Sequence, residues 1–379
     1  MSAILETLPA RVFEPRSIAE LAETMRETAP SRIAVAPIGS GTQLDLGNPP
    51  TRYDAAVRLG ALQRIVEYAP EDQIVVVEAG ITLATLQARL AVDSQRLAID
   101  PPAGAGMSIG GLLATNAYGP CASRYGTIKD LVVGVTVVRA DGAIARAGGK
   151  VVKNVAGFDL SKLMAGSLGT LAIVASIALR VHPLPELRRS LTLRLSVADV
   201  WPFALALRDA QLEPSSVTAD IDGKAAVLTI SFEGFAAGIE AQVAACRTLA
   251  SSYSSVEVDE SQAFPWETAP IAIRATFPPA AFADVVPVVA APSVRTQVWP
   301  LAGTLLATAE RFDESALAAT RASFESLGGT LVVHRMPNAW RGRLDAWGTP
   351  PPAIALMRNL KQRFDPGARL NPGRFVGGI

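Results

Sequence analysis

The feature that most limits how this chain can fold is a run of small residues between positions 101 and 119. The run reads PPAGAGMSIGGLLATNAYG, and SRYGT follows at 123–127. An exposed loop needs no such density of glycine, serine and threonine. A backbone that lies closely along an extended ligand does, because glycine has no Cβ to keep the ligand away. The pattern therefore predicts close backbone contact with a phosphate-bearing ligand such as a dinucleotide.

Two further glycine-rich segments flank this run in the sequence. A short apolar strand expected at 33–36 leads into PIGSGTQ at 37–43, and GGKVVKNVAGFDL at 148–160 precedes MAGSLGTL at 164–171. The first of them is not a P-loop, since it lacks Gly-Lys-Ser/Thr, and it has no third glycine at the offset of a Rossmann fingerprint. Taken alone, this segment is either a phosphate-binding loop or an ordinary turn.

Composition narrows the class of protein. The chain has 379 residues, of which 49% are hydrophobic, and no formal net charge, which suggests two domains and gives no reason to expect nucleic acid. Its two cysteines make neither a disulfide framework nor a metal cluster. No signal peptide or transmembrane segment is recognisable, so a cytoplasmic location is expected. The mean hydropathy of +0.28 is high and favours an apolar surface that meets a partner.

The pattern of elements changes at HPLPE, residues 182–186, where two prolines interrupt regular structure. Beyond it, the apolar periodicity predicts close to two β-α-β-β-α-β units in tandem, which form an antiparallel sheet with helices on one face. The expected fold class is α+β. The expected division is a first domain over 1–183, an antiparallel α+β domain over 184–350, and a C-terminal helix and tail over 351–379 that return to the first domain.

The motifs together resemble a known family. SIGGLLATNAYGP, SRYGTIKDLVVGVTVVRADG, GGKVVKNVAGFDLSKLMAGSLGTLAIV and the C-terminal RFDPGARLNPGR are similar, in order and spacing, to the FAD-binding proteins that include vanillyl-alcohol oxidase, D-lactate dehydrogenase and the glycolate oxidase subunits. The resemblance implies a two-part FAD-binding domain of the vanillyl-alcohol-oxidase type. The form KVVKNVAGFDLSKL is most similar to the glycolate oxidase flavoprotein subunits.

By this resemblance, four groups of residues are expected to contact FAD. They are Gly39, Ser40, Gly41, Thr42 and Gln43; Pro102, Ser108, Gly110, Gly111, Thr115, Asn116, Ser123 and Tyr125; Gly169, Thr170 and Ile173; and Asn371 and Arg374. Pro37 and Ile38 stand where the family often has an arginine, which puts an arginine contact from the first loop in doubt. Gln43, Leu44 and Asp45 stand where covalent members have a histidine, so non-covalent FAD is expected.

Candidate catalytic residues are scarce. The one-chain 2-hydroxy acid dehydrogenases of the family use several histidines and a glutamate for a metal ion and a base, but this chain has only His182 and His334. No metal site of three histidines can be built from two. His334 ends a predicted strand and is a candidate base. Arg274, on another predicted strand, is a candidate for holding a substrate carboxylate, although a surface or interdomain role is the favoured interpretation.

The resemblance implies a FAD-binding subunit of a glycolate oxidase complex that converts glycolate, a small 2-hydroxy acid, to glyoxylate. The implied partners are a larger flavoprotein subunit and an iron–sulfur subunit, through which the chain would lie at the periphery of the inner membrane. The scarcity of histidines suggests that the larger subunit performs the chemistry. Two alternatives stay open: a non-catalytic flavin-binding scaffold, and a self-sufficient FAD-dependent oxidoreductase of another alcohol or lactone.

Overall fold

The computed structural model describes residues 4–5, 7–149, 159–255, 264–289 and 293–379. These residues form two compact units. Unit 1 contains 1–118, 126–183 and 341–379, and unit 2 contains 119–125 and 184–340. Residues 341–350 thus lie with unit 1 rather than with the expected second domain, because Asn48 donates to Asp345 at 3.0 Å and accepts from the Ala346 amide at 2.8 Å. Residues 119–125 lie with unit 2, where Arg124 donates to the Glu213 carbonyl at 2.6 Å.

Unit 1 is built from short strands and helices. Its strands are β1 (Arg11–Phe13), β2 (Val35–Ile38), β3 (Ala55–Arg58), β4 (Ile65–Ala69), β5 (Ile74–Glu78), β6 (Gln95–Arg96), β7 (Val132–Val138), β8 (Ile144–Gly148), β9 (Ile173–Arg180) and β10 (His182–Pro183). Its helices are α1 (Ile18–Thr28), α2 (Leu83–Ala91), α3 (Ile109–Thr115), α5 (Ile128–Leu131), α6 (Leu160–Met164) and α11 (Ile354–Phe364). Residues 150–158 of the third glycine-rich segment lie outside the described residues.

Two sheets give unit 1 the expected two-part architecture. A three-stranded parallel sheet has the order β1-β3-β2, and a five-stranded antiparallel sheet has the order β4-β5-β9-β7-β8. One apolar cluster joins them: Val35 and Val57 of the parallel sheet and Ile173 of the antiparallel sheet pack with Met25 of α1. The same cluster includes Leu370, whose segment pairs in parallel with Val35. The C-terminal tail is thereby fixed beside β2.

Local sequence signals account for several element boundaries. The sequence Ser-Ile-Ala-Glu at 17–20 predicts a capping box, and Ser17 caps α1 by accepting a hydrogen bond from the Glu20 amide at 3.1 Å. The β7–β8 hairpin turns at Gly142, which has a φ of +80°, and the preceding Asp141 carboxylate accepts from the Ala143 amide. Pro37 lies inside β2 rather than in the loop, where it is tolerated because β2 is at the edge of its sheet.

Unit 2 has the two tandem β-α-β-β-α-β units expected from the sequence. In chain order, it contains α4 (Ala122–Tyr125), β11 (Leu187–Ser196), α7 (Val197–Asp209), β12 (Ser216–Asp222), β13 (Ala225–Gly234), α8 (Ala236–Leu249), β14 (Ser254–Ser255), β15 (Ile271–Thr276), α9 (Phe282–Val289), β16 (Val294–Trp299), β17 (Thr304–Ala309), α10 (Glu314–Ser326) and β18 (Thr330–Arg335). The sequence also predicts a weak last strand of the first β-α-β-β-α-β unit near 255–258, of which residues 256–258 lie outside the described residues.

The strands of unit 2 form one antiparallel sheet of eight, in the order β14-β11-β13-β12-β16-β17-β15-β18. The central pair, β12 with β16, joins the two halves. Alternate residues are buried along β13, where Leu228, Ile230 and Phe232 face α8 and α7. Because α7 also contacts α8 and α9, and α9 contacts α10, the four helices share that face. The mixed α+β class predicted from the sequence is confirmed.

Candidate functional site

The first glycine loop of unit 1 packs directly on the start of α3. A Cβ built on Gly39 would lie 1.9 Å from Ser108 Oγ, so only glycine fits at this position. The Ser108 amide donates to Ser40 Oγ at 3.0 Å, which ties the loop to the second glycine-rich run. Gly41 follows with a φ of +80°, a left-handed backbone conformation that favours glycine. Two segments about 70 residues apart in sequence thus meet, each with its backbone against a serine side chain of the other.

Ser108 also caps α3. Its Oγ accepts from the Gly111 amide at 3.2 Å, and the side chain is 1% exposed. Gly110 lets the first turn of α3 approach β5: its amide donates to the Ala79 carbonyl at 2.7 Å, and a Cβ there would be 2.8 Å from Ala79 Cβ. The small residues of this run therefore bring a helix start close to the loop at 39–43.

The C-terminal tail forms another wall of the same region. Asn371 Nδ2 donates to the Leu168 carbonyl at 2.7 Å, and a Cβ on Gly169 would be 2.8 Å from Pro37 Cγ. Asn371 is 6% exposed, and its Oδ1 has no hydrogen-bond partner within the described part of the chain. An unpartnered buried acceptor is costly, so a donor from a ligand is expected there.

Arg374 brings a buried positive charge to this wall. Its Nη2 donates to the carbonyls of Leu44 at 3.1 Å and Leu46 at 2.5 Å, and the residue is 3% exposed. Its Nη1 has no partner among the described residues. Burial lowers the pKa of the guanidinium to about 10, helped by the charge of Arg341, so Arg374 stays protonated at neutral pH. Burial also raises the pKa of the neighbouring Tyr53 to about 12, so Tyr53 supplies no compensating charge.

These elements enclose one cavity of about 770 Å³, counted with its open mouth. The residues expected from the sequence that line it are Gly39, Ser40, Gly41, Thr42, Gln43, Ser108, Gly110, Gly111, Thr115, Gly169, Asn371 and Arg374. Further lining residues that the sequence argument missed are apolar: Ile4, Pro37, Ile38, Leu44, Leu59, Ala79, Ala114, Leu168, Ala172 and Val174. Several of them neighbour a glycine in the sequence, as Ile38, Leu59 and Ala79 do.

The cavity has what a dinucleotide requires. Glycines allow the backbone to approach a pyrophosphate, Arg374 supplies a cation, and the apolar walls suit aromatic rings. Asn371 Oδ1 and Arg374 Nη1 are the buried polar atoms that the cavity leaves unpartnered among the described residues. The residues present therefore fit FAD.

Other residues expected to contact FAD lie elsewhere. Ile173 is fully buried in the apolar cluster between the two sheets, and Thr170 is buried, with its carbonyl accepting from Lys361 Nζ at 2.8 Å. Asn116 ends α3 in a left-handed conformation, and Pro102 lies in a turn; neither lines the cavity. Ser123 and Tyr125 belong to unit 2.

The two candidate catalytic residues lie close together within unit 2. Arg274 on β15 pairs with Val332 on β18, and His334 follows at an irregularity of this strand pair. The Arg274 guanidinium lies over the Trp299 ring, 5.5 Å from its centroid, and the His334 ring lies edge-on to Trp266 at 5.1 Å. Burial lowers the pKa of His334 to about 3, and the charges of Arg274 and Arg335 add to the effect.

The second histidine lies in unit 1. His182 is half-buried at the short β6–β10 pair, and its pKa is lowered by burial and by Arg180 and Arg96.

Across the described ranges, no three side chains of histidine, cysteine, aspartate or glutamate group as metal ligands would. Within the same ranges, no helix combines the length and apolar character needed to cross a bilayer. Cys121 and Cys246 are not disulfide-bonded.

Comparison with known proteins agrees with the geometry of unit 1. Residues 9–148 match the model of a family described as a FAD binding domain. Residues 9–148 are therefore similar to the FAD-binding domain of that family. The matched region contains the loop at 39–43 and the start of α3, and the cavity is completed by β9 and the tail.

Curated relatives share the FAD-binding half. The glycolate oxidase subunit GlcD of Bacillus subtilis is 35% identical over 188 residues, which are 49% of this chain and 40% of that protein. The glycolate oxidase subunit GlcE of Escherichia coli is 34% identical over 172 residues, 44% of this chain and 49% of that protein. A mitochondrial D-lactate dehydrogenase (cytochrome) of Arabidopsis thaliana is 31% identical over 47% of this chain and 31% of its own. The match thus spans less than half the length of each of these relatives.

A solved structure resembles the whole fold. An alkyldihydroxyacetonephosphate synthase superposes with a TM-score of 0.73, covering 96% of this chain and 77% of that one at 16% sequence identity. At this identity the likeness establishes the fold and nothing about substrate.

Proposed function

We propose that this chain is a FAD-binding subunit of an oxidoreductase complex that oxidises a small 2-hydroxy acid, with glycolate as substrate and glyoxylate as product. The observation that carries the proposal is the unit 1 cavity, in which two glycine-rich segments converge with Arg374; residues 9–148 of the same unit match a FAD-binding family. The names of the relatives support the substrate class, since they include two glycolate oxidase subunits and D-lactate dehydrogenases.

The chain's residues would hold FAD without a covalent bond. Gln43, at the end of the first loop, has no nucleophilic atom of the kind that a histidine offers. The glycine loop at 39–43 would face the pyrophosphate, with Arg374 as its counter-charge. Asn371 Oδ1 would accept a hydrogen bond from a ring N–H or a ribose hydroxyl. Bound FAD supplies the acceptor for the two electrons that leave the hydroxyl-bearing carbon.

The proposal includes partners. The implied complex consists of this chain, a larger flavoprotein subunit and an iron–sulfur subunit, in the cytoplasm or at the inner surface of a membrane through those partners. In such an arrangement, FAD in this chain transfers electrons or stabilises the assembly, and the larger subunit oxidises glycolate. Oxidation of glycolate to glyoxylate releases two electrons and two protons, so an acceptor beyond this chain must follow.

The first test measures the cofactor. The purified full chain should show a flavin absorption spectrum with about one FAD per chain, and acid precipitation should release all of it into the supernatant. Flavin that stays with the precipitated protein would contradict non-covalent binding. A chain that stays colourless after incubation with FAD, although its melting curve shows that it is folded, would overturn the proposed function.

The second test measures the reaction and the partner dependence. Anaerobic glycolate should bleach the flavin when the two partner subunits are co-purified with this chain, and not when the chain is alone. Bleaching of the isolated chain by glycolate would favour a self-sufficient enzyme. A flavin that glycolate reduces in neither preparation, but that dithionite does reduce, would favour the scaffold alternative.

A further inference from the structure

Lys361 of α11 buries its ammonium group among three acceptors. The residue is 8% exposed, and its Nζ donates to Asp365 Oδ2 at 2.6 Å, to the Thr170 carbonyl at 2.8 Å and to the Leu370 carbonyl at 2.9 Å. These bonds use every donor that an ammonium has. Burial lowers the pKa of Lys361, and the charge of Asp365 opposes this shift, so a cation at this place carries a desolvation cost. An apolar side chain is the ordinary choice for the inner side of a helix, so the three acceptors account for the lysine.

The two carbonyls that Lys361 binds belong to segments that form walls of the unit 1 cavity. Leu168 lines the cavity two residues before Thr170. Asn371 lines it directly after Leu370, whereas Lys361 itself does not line it. The hydrogen bond from Asn371 Nδ2 to the Leu168 carbonyl, at 2.7 Å, joins the same two segments. Lys361 therefore joins from outside the cavity the two segments that Asn371 joins at its wall.

Asp365 holds the same stretch of the tail. Its Oδ2 accepts from the Leu370 amide at 2.7 Å as well as from Lys361, so the ion pair binds both the carbonyl and the amide of Leu370. Asn371, the next residue, has a φ of +45°, a left-handed conformation that a residue with a side chain keeps where the surrounding structure holds it. In this conformation Asn371 donates to Leu168 and leaves Oδ1 without a partner among the described residues.

We propose that Lys361 and Asp365 are positioning residues for FAD, which fix the C-terminal tail against the segment at 168–170 so that Asn371 presents Oδ1 to the cofactor. The inference rests on the proposed function, because it needs FAD in this cavity. The competing interpretation is that the ion pair only stabilises α11. A buried ion pair is weak evidence for stability, since apolar residues of similar volume often stabilise a protein as well or better. The two carbonyl contacts, which lie outside α11, favour the positioning role.

The test is a double-mutant cycle on the dissociation constant of FAD, measured by flavin fluorescence with the full chain. Lys361→Met combined with Asp365→Asn removes the ammonium without leaving an unpaired buried carboxylate. Asn371→Gly removes the side-chain amide and tolerates the left-handed conformation. Each change should weaken FAD binding roughly tenfold, as loss of a hydrogen bond to a ligand does. All three substitutions together should bind FAD no more weakly than Asn371→Gly alone, because the ion pair acts through Asn371.

The matched control is Arg89→Met combined with Asp93→Asn, which breaks an exposed ion pair of the same i,i+4 spacing at the end of α2 and should leave the FAD affinity unchanged. Melting curves show whether each variant is folded. Should the variant of Lys361 and Asp365 not fold, Lys361→Gln alone keeps a donor for Asp365. It should show the same lack of additivity with Asn371→Gly, with a smaller loss of affinity.

Three outcomes would overturn this inference while FAD binding by the parent chain stands. They are an unchanged FAD affinity after loss of the Lys361–Asp365 pair, an unchanged affinity in Asn371→Gly, and losses that add in the combined variant. Additive losses would show that the ion pair stabilises the fold without acting through Asn371. A folded parent chain that binds no FAD would instead overturn the proposed function.

Discussion

Gly39 and Ser108 touch so closely that a single added carbon on Gly39 would lie 1.9 Å from Ser108 Oγ. Ser108 is pinned from two sides, because its amide donates to Ser40 and its hydroxyl accepts from Gly111. The serine therefore has little room to retreat. The contact makes the first loop and the start of α3 one structural element of the cavity.

Gly39→Ala should consequently displace the loop and reduce FAD occupancy to a small fraction of that of the parent chain. The measurement is the ratio of flavin absorbance to protein absorbance after purification in excess FAD. Gly60→Ala is the matched control, because a Cβ at Gly60 meets nothing within 4 Å. Full FAD occupancy in Gly39→Ala would show that the loop does not contact the cofactor as proposed.

Ser108→Ala should have two separable effects. Loss of the helix cap should lower the free energy of unfolding by about 1 kcal/mol. Ser17→Ala, which removes the cap of α1, should cost a similar amount. Only Ser108→Ala should also weaken FAD binding, measured as a dissociation constant by flavin fluorescence, since Ser108 lines the cavity. Equal FAD affinity in the two variants would limit Ser108 to a capping role.

Arg374→Met should weaken FAD binding by about tenfold or more, because a charge-assisted hydrogen bond contributes about 1.5–3 kcal/mol. The parent affinity should fall with rising salt, and that dependence should be smaller in the variant. Arg363→Met, at an exposed arginine of α11, is the control and should keep both properties. If Arg374→Met binds FAD as the parent chain does, the buried charge stabilises the position of the tail and does not contact the cofactor.

His334 should make the folded chain sensitive to acid. In the folded state its pKa is about 3, against 6.5 for the ordinary group, so between these values the unfolded chain binds a proton that the folded chain does not. The free energy of unfolding should therefore fall as the pH falls from about 6.5 towards 3. His334→Gln should flatten this fall in urea titrations at a series of pH values. His182→Gln is the control variant, and the fall in the free energy of unfolding that His334 contributes should persist in it.

The sequence predicts the fold of this chain better than it predicts the site. The apolar pattern predicts strands at 271–276 and 330–335, and the structure has them with these bounds, because their apolar residues face one covered side of a sheet. Strands β1 and β4 were not predicted. They are short or carry polar residues at a sheet edge, so their pairing depends on neighbours distant in sequence.

The site depends even more on such distant contacts. Glycine density alone indicates a close ligand, but nothing in local periodicity indicates that Asn371 and Arg374 reach the same cavity as Gly39. That expectation came from family resemblance. The apolar wall, including Leu59 and Val174, is invisible to motif analysis because these residues have the composition of any core.

The tail that supplies Arg374 has a consequence for how the chain folds. The hydrogen bond from Arg374 to the Leu44 carbonyl joins positions 330 residues apart, which makes the cofactor cavity a structure of very high contact order. Ordering such a long loop has an entropic cost that the tail's own contacts must offset. A ligand that binds both the first loop and the tail would stabilise their contact. Without FAD, therefore, hydrogen exchange should be fastest where the tail meets the first loop, long before the rest of unit 1 opens.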